Sequence, residues 1–159
     1  MHMNRRWAVL LPVTFVTYSL AYLDRANFGF GAAARMASDL RISTSQSSML
    51  GALFFLGYFL LQIPGTAYAQ FYSVKRLIFC GLIAWGILAG AMGLIADIRL
   101  LYLDRFLLGV VEGAVLPALL VLLARWFTRP ERARANAILF LGNPVTMLWI
   151  CLLYTSRCV

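Results

Sequence analysis

Between Arg41 and Lys75 this chain runs for thirty-three consecutive residues, Ile42 to Val74, without a charge. Two more such intervals follow, twenty residues from Leu77 to Ala96 and twenty-two from Ala135 to Ser156. An α-helix rises about 1.5 Å per residue and the hydrocarbon core of a bilayer is about 30 Å thick, so roughly twenty apolar residues cross it. By length alone, each interval is a transmembrane helix. Composition agrees: 62% of the 159 residues are hydrophobic and 13% charged, with a mean hydropathy of +0.82. A soluble domain carries about a quarter charged residues, and a disordered chain carries far fewer apolar ones.

Two further segments are apolar but interrupted. Trp7 to about Ala33 contains Asp24 and Arg25, and Leu100 to Ala124 contains Asp104, Arg105 and Glu112. A charge at the bilayer centre costs about 2.5 kcal/mol or more, so in both segments the charges must face protein or water. The fold expected is all-α: one bundle over residues 1–153 with five spans at about 7–33, 47–69, 77–96, 100–124 and 135–153, then a tail at 154–159. Ser43 with Gln46 reads as a capping box opening the second span, and Thr128 with Glu131 and Pro130 reads as another before the fifth. Only Asp97, Ile98 and Arg99 separate spans three and four, which makes them an antiparallel hairpin. Pro64, Pro117 and Pro144 are expected to bend their spans. Gly109 with Gly113, and Gly86 with Gly90, are small-xxx-small pairs expected to admit a neighbouring helix.

Lys and Arg set the orientation. Arg5, Arg6, Lys75, Arg76, Arg125, Arg129, Arg132 and Arg134 fall on one side, against Arg35, Arg41, Arg99 and Arg157 on the other. The richer side is expected to be cytoplasmic, placing the amino terminus inside a bacterial inner membrane. The net charge of +8 then belongs at an anionic leaflet and not on nucleic acid.

Several soluble chemistries have no residues to use. Arg5 and Arg6 before an apolar stretch, with Ala32 to Ala34 behind it, imitate a signal peptide, but the apolar region is too long and Asp24 and Arg25 intervene. Gly29, Gly31 and Ala34 spell a dinucleotide fingerprint at the end of a helix and not after a strand. His2 is the one histidine and sits in a terminal tail, while Cys80, Cys151 and Cys158 have no ligand spacing. Neither a catalytic triad nor a metal site is expected, and the chain reads as no enzyme.

The intramembrane charges are the candidates. Arg105 and Glu112 are seven residues apart, about two turns and about 10.5 Å, on nearly one face. Asp24 and Arg25 are neighbours, with Tyr18 and Tyr22 back along the helix and Asn27 ahead. These groups either line a wet cavity or pair across helices and hold the bundle together. Asp104, about 6 Å into its helix, is expected at the membrane interface. Tyr58 and Gln62, one turn apart on span two, either line the same cavity or are hydrogen-bonded packing residues. Tyr22-Leu23-Asp24-Arg25 recurs as Tyr102-Leu103-Asp104-Arg105, but late in one helix and early in the other, so it is no inverted repeat.

The run from Tyr22 to Phe30, the run from Gly57 to Gly65, Arg105 to Gly113, and Arg125-Trp126-Phe127 with Glu131 to Asn136 resemble the amino-terminal half of the major facilitator superfamily. The likeness covers about Trp7 to Ile150 and is narrower with the anion:cation symporter branch, which carries sugar acids and other organic carboxylates with protons or sodium. The resemblance implies a half-bundle working by alternating access, with a small organic anion and the bilayer as partners and no cofactor beyond the coupling ion, a proton. It implies that Arg25 holds the substrate carboxylate, with Tyr22, Tyr58 and Gln62 lining the site and Asn143 a weaker addition. Asp24 and Glu112 would load and release the proton, and Arg105 would modulate Glu112. Gly65, Lys75 and Arg76 would belong to a cytoplasmic gating connection.

Two departures stand against this. Gln70 and Phe71 occupy places where the family commonly has an acidic residue and then Arg, which weakens an electrostatic latch. Family members have about twelve spans, so this chain is expected to lack a carboxy-terminal half, with Cys151 to Val159 reading as a truncated or foreign end. The rival readings are a uniporter or exporter of another solute, and a five-span membrane subunit that binds a partner protein.

Overall fold

The computed structural model describes residues 3–31, 43–95 and 97–155, and all regular structure in them is helical. His2, the Ala32–Ala34 motif, Arg35, Arg41, Arg157 and Cys158 lie outside the described residues. In chain order the helices are α1 (Met3–Gly31), α2 (Thr44–Phe71), α3 (Val74–Met92), α4 (Ile98–Gly113), α5 (Val115–Trp126) and α6 (Arg129–Thr155). With α4 and α5 taken together, five segments are long and apolar enough to cross a membrane, matching the three charge-free intervals and the two interrupted segments.

The fourth span is broken where the sequence gives one continuous helix. Ala114 interrupts it between α4 and α5. Pro117 supplies the reason, since it has no N–H for the carbonyl four residues back, that of Gly113, and its ring crowds that turn. Pro64 and Pro144 lie inside uninterrupted helices. The hairpin between α3 and α4 also shifts. Ile98 and Arg99 are already helical because Asp97 caps α4, its carboxylate accepting the Arg99 N–H at 2.9 Å. The connection is therefore Gly93 to Asp97.

The capping box at Ser43 is complete: Ser43 Oγ accepts the Gln46 N–H at 3.3 Å and Gln46 Oε1 accepts the Ser43 N–H at 2.9 Å. The second box is one-sided. Glu131 accepts both the Thr128 N–H at 3.0 Å and the Thr128 hydroxyl at 2.7 Å, so the hydroxyl donates to the carboxylate.

The helices form two compact units. The first comprises Met1–Gly31 and Leu122–Val159, the second Ala32–Val121. In the first, α1 and α6 pack in parallel. Trp7 meets Phe127 edge-on at 4.8 Å between ring centroids, Tyr18 meets Phe140 at 5.9 Å, and the Thr146 hydroxyl reaches the Ser19 carbonyl at 3.3 Å.

In the second unit α2, α3 and α4 pack on one another. The closest seam joins α2 to α4, which also run in parallel. A Cβ on Gly109 would meet the Phe54 carbonyl, one on Gly57 the Phe106 carbonyl, and one on Gly113 the Tyr58 carbonyl. A Cβ on Gly65 would lie 2.8 Å from the Ala114 methyl. The Gly109 and Gly113 pair thus admits a helix as expected. The Gly86 and Gly90 pair does not, because nothing lies within 4 Å of a Cβ on either.

Candidate functional site

The site residues divide between the two units. In the first, α1 turns Leu11, Thr14, Thr17 and Ala21 inward. The Thr14 and Thr17 hydroxyls donate to the Leu11 and Val13 carbonyls at 3.1 and 2.8 Å, so this polar stripe is satisfied within its own helix. At about 100° per residue, Arg25 continues the line of Thr14, Tyr18 and Ala21, while Asp24 follows Thr17. Tyr22, Asp24 and Arg25 are half-buried, so all three combine a protein environment with some access. Asn143 is also half-buried, on α6 beside Gly142, whose Cβ would lie 2.6 Å from Ser19 Oγ. Asn143 thus stands near the level of Ser19, about 9 Å along the axis from Arg25.

Ser19 and Thr146 escaped the sequence reading. Ser19 Oγ is buried without a hydrogen-bond partner among the described residues, and Thr146 shares its hydroxyl between the Ser19 and Gly142 carbonyls. The available signal was Gly142, which marks where α1 and α6 come close.

The basic end of this unit is fastened to its own backbone. Arg6 donates to the Trp126 carbonyl at 2.9 Å and Arg132 to the Ala124 carbonyl at 2.8 Å. The Thr128 hydroxyl and N–H, with a smaller contribution from the Arg6 charge, hold the Glu131 carboxyl below the usual carboxylate range. Glu131 lies in the first turn of α6, ahead of its apolar stretch.

In the second unit α4 carries the charges. Arg105 is 2% exposed and Glu112 0%, both on the buried face that also presents Leu101, Leu108 and Gly109. One Arg105 Nη donates to Met92 Sδ at 2.7 Å, which ties the guanidinium to the end of α3. Asp104 is 5% exposed, because it stands three residues after Leu101 and four before Leu108 and so shares their buried face.

Tyr58 is half-buried, stacked at 6.2 Å on Phe54, and its backbone lies against Gly113, beside Glu112. Gln62 is half-buried one turn on, its carbonyl accepting the Thr66 hydroxyl at 2.6 Å. Gly65 is a further correction: it lies inside α2, buried against Ala114, so it is a packing residue and no part of a loop. The connection itself is only Tyr72 and Ser73, with Lys75 and Arg76 exposed in the first turn of α3.

Chemically, each unit offers a guanidinium and carboxyl groups in or near a low-dielectric environment. A guanidinium presents a bidentate fork to a carboxylate. A carboxyl carried out of water favours its uncharged form, which suits reversible proton uptake.

Known proteins resemble this chain over most of its length. The chain is 33% identical over 139 residues to a quinolone resistance transporter of Acinetobacter baumannii, covering 87% of this chain and 32% of that protein. It is 34% identical over 137 residues to a protein named for tartrate transport in Agrobacterium vitis, covering 86% of this chain and 31% of that one. The figures are the same for a protein named for metabolite transport in Pseudomonas putida. The chain therefore spans about a third of the length of these relatives. They are named for transport. With residues 14–152 matching the model of the Major Facilitator Superfamily, and with five helices able to cross a bilayer, this integral membrane chain belongs to that superfamily.

Proposed function

We propose that this chain is part of a secondary transporter that moves organic anions, sugar acids or related carboxylates, together with protons by alternating access. The observation that carries the reading is the pair Arg105 and Glu112, both out of contact with solvent on one face of a membrane span. Charges kept there at a cost of kilocalories are retained where ions or protons must be handled. In this reading Arg25 holds the anion's carboxylate. Tyr22, Tyr58, Gln62 and Asn143 line its path, Asp24 and Glu112 take up and release the coupling proton, and Arg105 sets how readily Glu112 does so. Lys75 and Arg76 lie at the cytoplasmic end, with the amino terminus inside a bacterial inner membrane. Inward proton flow lets an anion enter against a negative interior.

The test is uptake of labelled sugar acids into proteoliposomes holding the product of the complete reading frame, with an imposed proton gradient. Uptake should follow the gradient, and Glu112→Gln should abolish that dependence while exchange without a gradient persists. Uptake indifferent to both would overturn the coupling. A second reading, export of another solute, is favoured by the relative named for quinolone resistance. Competition by neutral or cationic compounds, with no effect of sugar acids, would select it.

A further inference from the structure

The third span is mostly surface, yet one of its polar atoms is shut away. Trp85 on α3 is half-buried, but its Nε1 is fully covered and has no hydrogen-bond partner among the described residues. Gly81, Trp85, Leu88 and Met92 share one helical face. Contacts at either end of that face fix what it meets. A Cβ on Gly81 would lie 4.0 Å from a Val115 methyl, and Met92 Sδ accepts from Arg105 Nη at 2.7 Å.

On the opposing helix Arg105, Leu108 and Glu112 recur at the same spacing, with Val115 just past the break at Ala114. Because α3 and α4 form an antiparallel hairpin, seven residues back from Met92 and seven on from Arg105 each cover about 10.5 Å in the same direction. Trp85 and Glu112 therefore stand at one depth on the facing sides of the two helices. An indole N–H only donates, and when buried it normally finds an acceptor. Phenylalanine would pack against α4 and suit lipid equally well. What tryptophan adds is a donor level with a carboxyl that is 0% exposed. The other charged or titratable groups around Glu112 are Asp104 and Arg105 on its own helix and Tyr58 on α2. Besides Cys80, α3 carries Lys75 and Arg76, whose backbone lies about 13 Å or more along the axis from Trp85.

We infer that Trp85 is a positioning residue for Glu112, its indole N–H donating to the carboxylate once the proton has left and parting from it when the proton returns. This rests on the reading of Glu112 as a coupling group and names the partner that holds its charged form. A hydrogen bond to an ionised oxygen is roughly twice as strong as one to a neutral oxygen, so the pair closes and opens with the proton. The unpaired indole is the open arrangement.

The test uses the product of the complete reading frame in lipid and follows, by infrared difference spectroscopy, the carbonyl band that Glu112→Gln removes. Its pH midpoint is compared in the unchanged protein, in Trp85→Phe and in Trp85→benzothienylalanine, which exchanges the N–H for sulfur and keeps the ring shape. Both changes should raise the midpoint by about one pH unit, and the pH profile of uptake should move with it. A shift in Trp85→Phe alone would assign the effect to packing and overturn the inference. A Glu112 band that titrates at one pH in all three proteins also overturns it, and leaves coupling through Glu112 standing. If no Glu112 band titrates, both fall.

Discussion

Span four and α3 carry the same small-xxx-small spacing, and the two outcomes are opposite. Half of the apolar window of span four is buried, against 6% of that of α3. Gly109 and Gly113 bring α4 onto the Phe54 and Tyr58 carbonyls, while Gly86 and Gly90 face open space. The difference lies in what accompanies the glycines. Around Gly109 and Gly113 the neighbours at helical spacing are Leu108, Glu112, Arg105 and Leu101, a face that must leave lipid because it bears charge. Around Gly86 and Gly90 the neighbours are apolar and as well placed in lipid as in protein. Without a hydrophobic force between helices, a small residue permits contact and does not cause it.

Adding one methyl group at a time tests that contrast. Gly109→Ala should have the largest effect. Its Cβ falls on backbone that no rotamer change can move, so α2 and α4 must separate. The loss should be about 2 kcal/mol, beyond the roughly 1 kcal/mol that alanine returns in helix propensity, measured as unfolding in detergent and denaturant mixtures. Gly113→Ala should match it, since its Cβ meets the Tyr58 carbonyl. It should also lower transport more than stability explains, because the displaced segment carries Glu112. A stable Gly109→Ala protein would mean that the α2–α4 seam does not hold the unit.

How far this contrast could be read in advance differs between levels. Three spans follow from where charge is absent and two from apolar stretches that charges interrupt, and the structure has helices of spanning length at all five. The face shared by Arg105 and Glu112 follows from a spacing of seven. The burial of Asp104 follows from its angular position, between Leu101 and Leu108. The break at Ala114 depends on Pro117 together with Gly113, and a proline alone says little, since α2 and α6 run straight through theirs. Gly65 was assigned to a gating connection on motif position, although it lies inside the second span of about 47–69. Which glycine pair packs depends on the face it shares, charged for Gly109 and Gly113 and apolar for Gly86 and Gly90.

A smaller effect is expected at Gly65→Ala. The obstacle there is the Ala114 methyl at 2.8 Å, with the Ala114 Cα at 3.1 Å, so α2 and the break at Ala114 must move apart, by less than the direct backbone overlaps at Gly109 and Gly113 demand. The break at Ala114 makes that movement easier than in a continuous helix. The net loss should stay below about 1 kcal/mol, and pairing it with Ala114→Gly should remove most of it, which a double-mutant comparison reads directly. No recovery would place the strain elsewhere in the seam.

The smallest effect belongs to the other side of the contrast. At Gly86 and Gly90 a methyl group meets nothing within 4 Å among the described residues, and both positions lie within α3, Gly90 in its last turn, where glycine costs helix stability relative to alanine. Gly86→Ala and Gly90→Ala should each change stability by no more than about 0.5 kcal/mol, in the favourable direction, because propensity differences shrink when lipid already enforces the helix. The double variant should be additive, since the two methyl groups would share no protein neighbour. A loss at Gly90 comparable to that at Gly109 would show that this face is covered in the membrane. The exposed stripe on α3 would then be the seat of another helix, and the contrast with span four would be one of which partner, not of whether there is one.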